Sequence, residues 1–133
     1  MPAYIGPYLQ NRITGRDHLA SALASYYTSA ASEFYAQQAL TKADRANINK
    51  SSGYYQELMR ENDQHYQEFL AATTRLAVEV PPHLQKKILG IEDRWDKISD
   101  KLDDQSQAKW FKDLDEIRQT VLDALPSRSL LDR

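Results

Sequence analysis

Apolar residues recur along this chain at spacings of three and four, the period of one face of an α-helix, in four separate runs. Leu19, Leu23, Tyr27, Ala30 and Phe34 form the first, and Tyr55, Met59, Asn62, Tyr66, Phe69, Thr73, Leu76 and Val80 the second, with Asn62 and Thr73 as its polar members. The third, Leu84, Ile88, Ile91, Trp95, Ile98 and Leu102, keeps the rhythm without a gap, and Trp110, Leu114, Ile117, Val121 and Ala124 make the fourth. No run alternates apolar and polar residues between turn signals, so no strand is expected. Four stripes that each need a partner predict an all-α domain, an antiparallel four-helix bundle with one core.

The breakers place the boundaries. Thr14 with Asp17 three residues on resembles a helix start, and the first helix is expected to run from there to about Ala46. Asn47 and Asn49 tolerate the left-handed conformation that ends a helix, while Ser51 or Ser52 suits the next cap. Val80-Pro81-Pro82 must stop the second helix, because a residue before proline is driven out of the α region. Asp104 with Gln107 reads as the start of the fourth helix, and Pro126 as its end. Residues 1–13 are expected to be an extended arm, with Pro2, Gly6 and Pro7 opposing helix. Residues 14–126 are expected to form the bundle and 127–133 a short tail carrying Leu130 and Leu131. Two long helices followed by two shorter ones predict that the first hairpin projects beyond the bundle at residues 40–56, exposing Leu40, Ile48, Tyr54 and Tyr55.

Composition narrows the picture by exclusion. The 133 residues suit one domain, and 17 basic against 19 acidic residues leave a charge of −2, too small to announce a polyanion binder. Without cysteine there is no disulfide, thiolate metal site or cysteine nucleophile. The start MPAYIGPYLQ lacks the basic and apolar regions of a signal peptide, and no stretch is long and apolar enough to span a bilayer. The expected location is therefore the cytoplasm or a virion. Glu92 and the acidic residues that follow it alternate with Arg94, Lys97 and Lys101, which reads as a solvated face held by i,i+4 pairs.

Candidate chemistry is sparse. Arg60 with His65, and Arg12 with His18, fit the Arg, four to six residues, His spacing of the HEPN ribonucleases, themselves all-α bundles, and that resemblance would imply RNA cleavage. Such pairs also arise when surface residues fall about a turn apart. His18, His65 and His83 lie in different segments, and none has the Glu-x-x-His spacing of di-metal bundles. No catalytic residue, cofactor, metal or small-molecule substrate is expected.

Eight tyrosines are many for this length. Tyr27, Tyr55 and Tyr66 fall on stripes and read as core. Tyr4, Tyr8, Tyr26, Tyr35 and Tyr54 fall off them or in the arm, and with Ile5, Leu9 and Ile13 make up the expected partner-binding set, since tyrosine suits interfaces that stay partly wet. Ala20, Ser21, Ala24, Ser25, Ser29 and their small neighbours on the first helix would let another helix approach closely. An apolar arm, MPAYIGPYLQNRI, ahead of a compact four-helix bundle resembles the layout of the coat proteins of filamentous archaeal viruses. That resemblance implies subunits stacked around DNA, with Arg12, Arg16, Lys42, Arg45 and Lys50 meeting phosphates; so few cations would imply a more basic second subunit. The expected function is a non-enzymatic structural subunit that assembles with itself or a related helical chain, nucleic acid being a further partner. A helical adaptor or inhibitor of another protein is the alternative, and a HEPN-like nuclease the third.

Overall fold

The computed structural model describes residues 6–100 and 102–124, with side chains from residue 17 onward. Four helices account for nearly all of them: α1 Gly6–Arg45, α2 Gly53–Glu79, α3 Pro82–Ile98 and α4 Asp104–Asp123. No strand occurs among the described residues. α1 packs on α2 and α4, α2 on α3, and α3 on α4.

Each connection is built by the residues that sequence logic assigns to it, with one shift. Asn47 takes a positive φ of 56° after α1, Asn49 Oδ1 accepts from the Ser51 amide at 2.9 Å, and Ser52 Oγ accepts from the Tyr55 amide at 3.1 Å to cap α2. Val80 is extended at φ −89°, ψ 159°, and Pro82 opens α3, where a missing amide hydrogen costs nothing. α4 is capped by Asp103 and not Asp104: its carboxylate accepts from the Ser106 amide at 2.7 Å. The third break accordingly falls at residues 99–103, earlier than expected. Pro126 and the 127–133 tail lie outside the described residues.

The expected arm is the larger correction. α1 begins at Gly6, eight residues before Thr14, so positions 6–13 are helical and Thr14 is interior to the helix. Pro7 falls in the first helical turn, where its fixed φ is favourable and no amide bond is lost. Met1 to Ile5 lie outside the described residues.

Three cross-links set the direction of α2 against α1. Tyr55 donates to Asp44 at 2.6 Å, Asn62 to Gln37 at 2.8 Å and Arg75 to Ser21 at 3.4 Å, so positions fall along α1 as they climb along α2. Continuing that register puts Glu79, the end of α2, near residue 17 of α1. At the same level Leu122 of α4 lines a cavity with Ala20 and Leu23. The backbone of residues 6–16 therefore runs beyond the ends of α2 and α4 for about 16 Å. At the opposite end the turn before α4 rises beside the hairpin and brings Asp103 within electrostatic reach of Arg45, so the tip projects less than the helix lengths alone imply.

The core is centred on aromatic rings, one from each helix. Phe34 of α1 and Phe69 of α2 both pack edge-on against Trp95 of α3, at 6.2 and 6.4 Å between centroids. Trp110 of α4 meets Trp95 at 5.0 Å and Phe69 at 5.9 Å. Its indole nitrogen donates to the Ala30 carbonyl at 3.2 Å, an approach that the small side chain of Ala30 permits. Around this cluster lie Leu19, Leu23, Leu76, Leu84, Ile88, Ile91, Leu114, Ile117 and Val121. Thr73 is satisfied inside the core by donating to the Phe69 carbonyl at 2.7 Å. Met59 is 40% exposed, because its level of α2 stands above the part covered by α3; Ala124 is exposed at the end of α4.

Trp95→Ala should cost about 3–5 kcal/mol in denaturant unfolding, since it deletes the ring shared by three of these contacts. A loss below about 1 kcal/mol would show that the cluster does not hold the core together.

Candidate interaction surfaces

The residues expected to bind partners or nucleic acid do not form one site. Tyr4 and Ile5 lie outside the described residues. Tyr8, Leu9, Arg12, Ile13 and Arg16 occupy the projecting turns of α1, whose side chains are not described. Lys42, Arg45 and Lys50 are exposed at the other end, about 40–50 Å along α1 from Arg12 and Arg16. No single subunit can bring both groups to the same few phosphates.

Tyr26 is a correction. It is fully buried, and its hydroxyl finds no partner among the described residues, whereas Tyr27 sits at the rim under the Arg118 guanidinium, 5.6 Å above the ring. Among the described side chains the buried positions of α1 are 19, 22, 23, 26, 30, 33, 34 and 43, so Leu19, Leu23, Ala30 and Phe34 of the expected stripe are buried and Tyr26 takes the place of Tyr27. Burial also raises the Tyr26 pKa well above its usual range. Tyr35 and Tyr54 are exposed, at 52% and 63%. Tyr35 leans on Phe34 and Phe111 at 5.9 and 5.8 Å; Tyr54 stands clear on the hairpin tip. Tyr55 beside it is buried and tied to Asp44.

Arg60 and His65 do not come together within this chain, and the side chain of Arg12 lies outside the described residues. Arg60 is bound to Glu57 on its own helix, and His65 Nδ1 lies 3.4 Å from Glu68. Five residues apart, Arg60 and His65 point about 140° away from each other around α2. His18 and His83 are exposed on other helices. Among the described residues, no three His, Asp or Glu side chains gather as metal ligands.

The structure shows an arrangement that linear reading of α3 missed. Its charges do not alternate as i,i+4 pairs: they separate onto two flanks. Glu92 and Asp96 face α2, where with Glu33 they push up the pKa of Tyr66 after its own burial. Arg94 and Lys97 face α4 and line, with Ile98, Lys109, Trp110 and Asp113, a cavity of about 320 Å³. Arg94 reaches Asp113 only at 4.0 Å, and among the described residues no carboxylate lies within ion-pair distance of Lys97 or Lys109. A second cavity, about 420 Å³, continues past Lys97 and Lys109 to Gln105 and Ser106 at the start of α4. On the other side of α4, an apolar cavity of about 300 Å³ lies against Ala20, Leu23, Ala24 and Thr28.

Glu33 is the unexpected member of the core. It is 1% exposed on α1, its Oε2 lacks a hydrogen-bond partner among the described residues, and its pKa is pushed up to about 8, first by burial and then by Asp63 across the α1–α2 seam. No sequence signal marked it, because a glutamate between Ser32 and Phe34 reads as ordinary surface.

No family model, curated protein or solved structure matches this chain.

Because the folded-state pKa of Glu33 exceeds its unfolded value, the fold binds the extra proton. The associated stability is complete below about pH 4.5 and is lost as pH rises towards 8. Glu33→Gln should remove that decline, leaving unfolding free energy flatter from pH 5 to 8 and higher than the parent above it; an unchanged profile would refute a neutral buried Glu33. Replacing Arg60 and His65 together by Ala should alter neither the response of an RNA-cleavage assay nor stability by more than about 1 kcal/mol, as both are surface pairs. Cleavage abolished by the double change would reinstate the nuclease.

Proposed function

We propose that this chain is a non-enzymatic assembly subunit: an antiparallel four-helix bundle that self-associates through the projecting end of α1, the hairpin tip and the small-residue face of α1. One observation carries the reading. α1, at 40 residues, outlasts the 27, 17 and 20 residues of α2, α3 and α4. Its first turns extend past α2 and α4, and a helix end that carries Tyr8, Leu9 and Ile13 in its sequence is suited to packing on another subunit.

A virion coat that packages nucleic acid is the specific form of this reading. The exposed Lys42, Arg45 and Lys50 support it, and because Arg12 and Arg16 lie about 40–50 Å away along α1 the two groups would meet phosphates through different subunits. The adaptor alternative draws on Tyr54 and Met59, both exposed on the first turns of α2, as separate apolar anchors for a heterologous partner. Particle size separates the two: a structural subunit forms filaments or large oligomers, an adaptor a discrete monomer or dimer. No described helix is long and apolar enough to cross a membrane.

Deleting residues 1–13 should leave the unfolding free energy within about 1 kcal/mol of the parent, because among the described side chains the buried positions of α1 begin at Leu19 and the cross-links to α2 at Ser21. Assembly should fail in the same protein, read by light scattering and negative-stain electron microscopy at matched concentration. Truncated protein that assembles as well as the intact chain would remove the end of α1 from the interface; outright unfolding would make it part of the bundle's own core.

A further inference from the structure

We infer that two copies of this chain meet through opposite charges, the basic groove between α3 and α4 of one receiving the acidic ridge between α2 and α3 of the next. The inference rests on the assembly reading and deepens it by naming the contact.

The groove is a concave, charged feature with an apolar floor. Arg94, Lys97 and Lys109 ring it, Ile98 and Trp110 lie beneath, and Asp113 offsets only part of the charge. On the opposite flank of α3, Glu92 and Asp96 stand beside Tyr66, and Asp63 of α2 lies within electrostatic reach of Glu33; among the described residues none of the three carboxylates has a Lys, Arg or His within 4.0 Å. Behind them is Glu33, buried, with an oxygen unpartnered among the described residues and Asp63 within electrostatic reach. Like charges held together cost energy that an arriving cation relieves, and the same holds with signs reversed in the groove. One molecule thus carries both halves of a complementary pair.

The halves lie on different flanks of one helix, so a copy bound at either leaves the other free. Contacts of this kind are heterologous and propagate into rings or open filaments, unlike a two-fold pair that closes on itself.

Two full-length variants test this. Lys97→Glu with Lys109→Glu reverses the groove, and Asp63→Lys with Asp96→Lys reverses the ridge; all four side chains are exposed, so circular dichroism and melting should match the parent. Analytical ultracentrifugation should show each variant alone associating at least about tenfold more weakly than the parent. An equimolar mixture should regain association, because the intact ridge of one variant meets the intact groove of the other and the two reversed halves are again of opposite sign. Parent assembly should weaken as salt is raised. If the parent assembles and both variants do so equally well, the contact lies elsewhere and this inference falls while the assembly reading stands. If the parent remains monomeric at all concentrations, both fall. If the groove variant keeps its self-association but loses binding to a duplex oligonucleotide, the groove is a phosphate site and the ridge contact is overturned.

Discussion

Everything in this fold depends on four aromatic rings meeting at one level. Phe34, Phe69, Trp95 and Trp110 come from four different helices, and the ring of Trp95 touches the other three. A helix with one apolar stripe needs only some partner; a shared aromatic cluster requires all four at a common height and rotation. Trp110 adds direction through its bond to the Ala30 carbonyl, which fixes α4 against α1 to within the geometry of a hydrogen bond. Once that level is set, helix length decides what projects. α3 and α4 end where they must, and the surplus of α1 and of the hairpin is left for other surfaces.

The same constraint explains why charge is distributed as it is. α3 is wedged between α2 and α4, so its two flanks see different neighbours, and its acidic and basic residues divide accordingly. Glu33 is drawn inward by its place beside Phe34, whose ring belongs to the cluster. Its carboxyl is tolerated because burial favours the neutral form, with a pKa pushed up to about 8. The fold keeps an ionisable group in its interior next to an acidic surface, a combination that favours an arriving cation over an anion.

Legibility in the sequence followed how locally each feature is determined. The stripe of α3 and the Pro81-Pro82 break were readable because the periodicity is unbroken and proline acts on its own neighbours. The start of α1 was not, since Thr14-x-x-Asp17 satisfies the rule for a cap as well as an interior turn does, and Pro7 is compatible with both a breaker and a first-turn residue. Tyr26 and Tyr27 differ by one step of rotation, and which of them is buried is settled by where α3 and α4 sit, not by α1. Asp103 and Asp104 present the same ambiguity at a cap. The two charged flanks of α3 could not be seen along the chain at all: residues 92–97 alternate in sequence and separate only once α2 and α4 are placed on either side. Lys42, Arg45 and Lys50 are exposed at the hairpin end, but the helix that joins them to Arg12 and Arg16 is too long for one site.

The bond from Trp110 to Ala30 joins residues 80 apart in sequence, and this has a consequence for how the chain is made. During synthesis α1 and α2 emerge first, and their hairpin already has its own fastenings in Tyr55–Asp44 and Asn62–Gln37. The face of α1 around Ala30 and Phe34 is covered first in part by α3 and completed only by α4, so it stays partly open until α4 leaves the ribosome. At about 5–20 residues per second that interval lasts several seconds, long enough for two nascent chains on one message to find each other's open hairpins. A protein whose last helix completes its core is thus exposed to exchange of that helix between neighbours, and the placement of Trp110 near the start of α4 shortens the exposure by making the decisive contact available before the helix is finished.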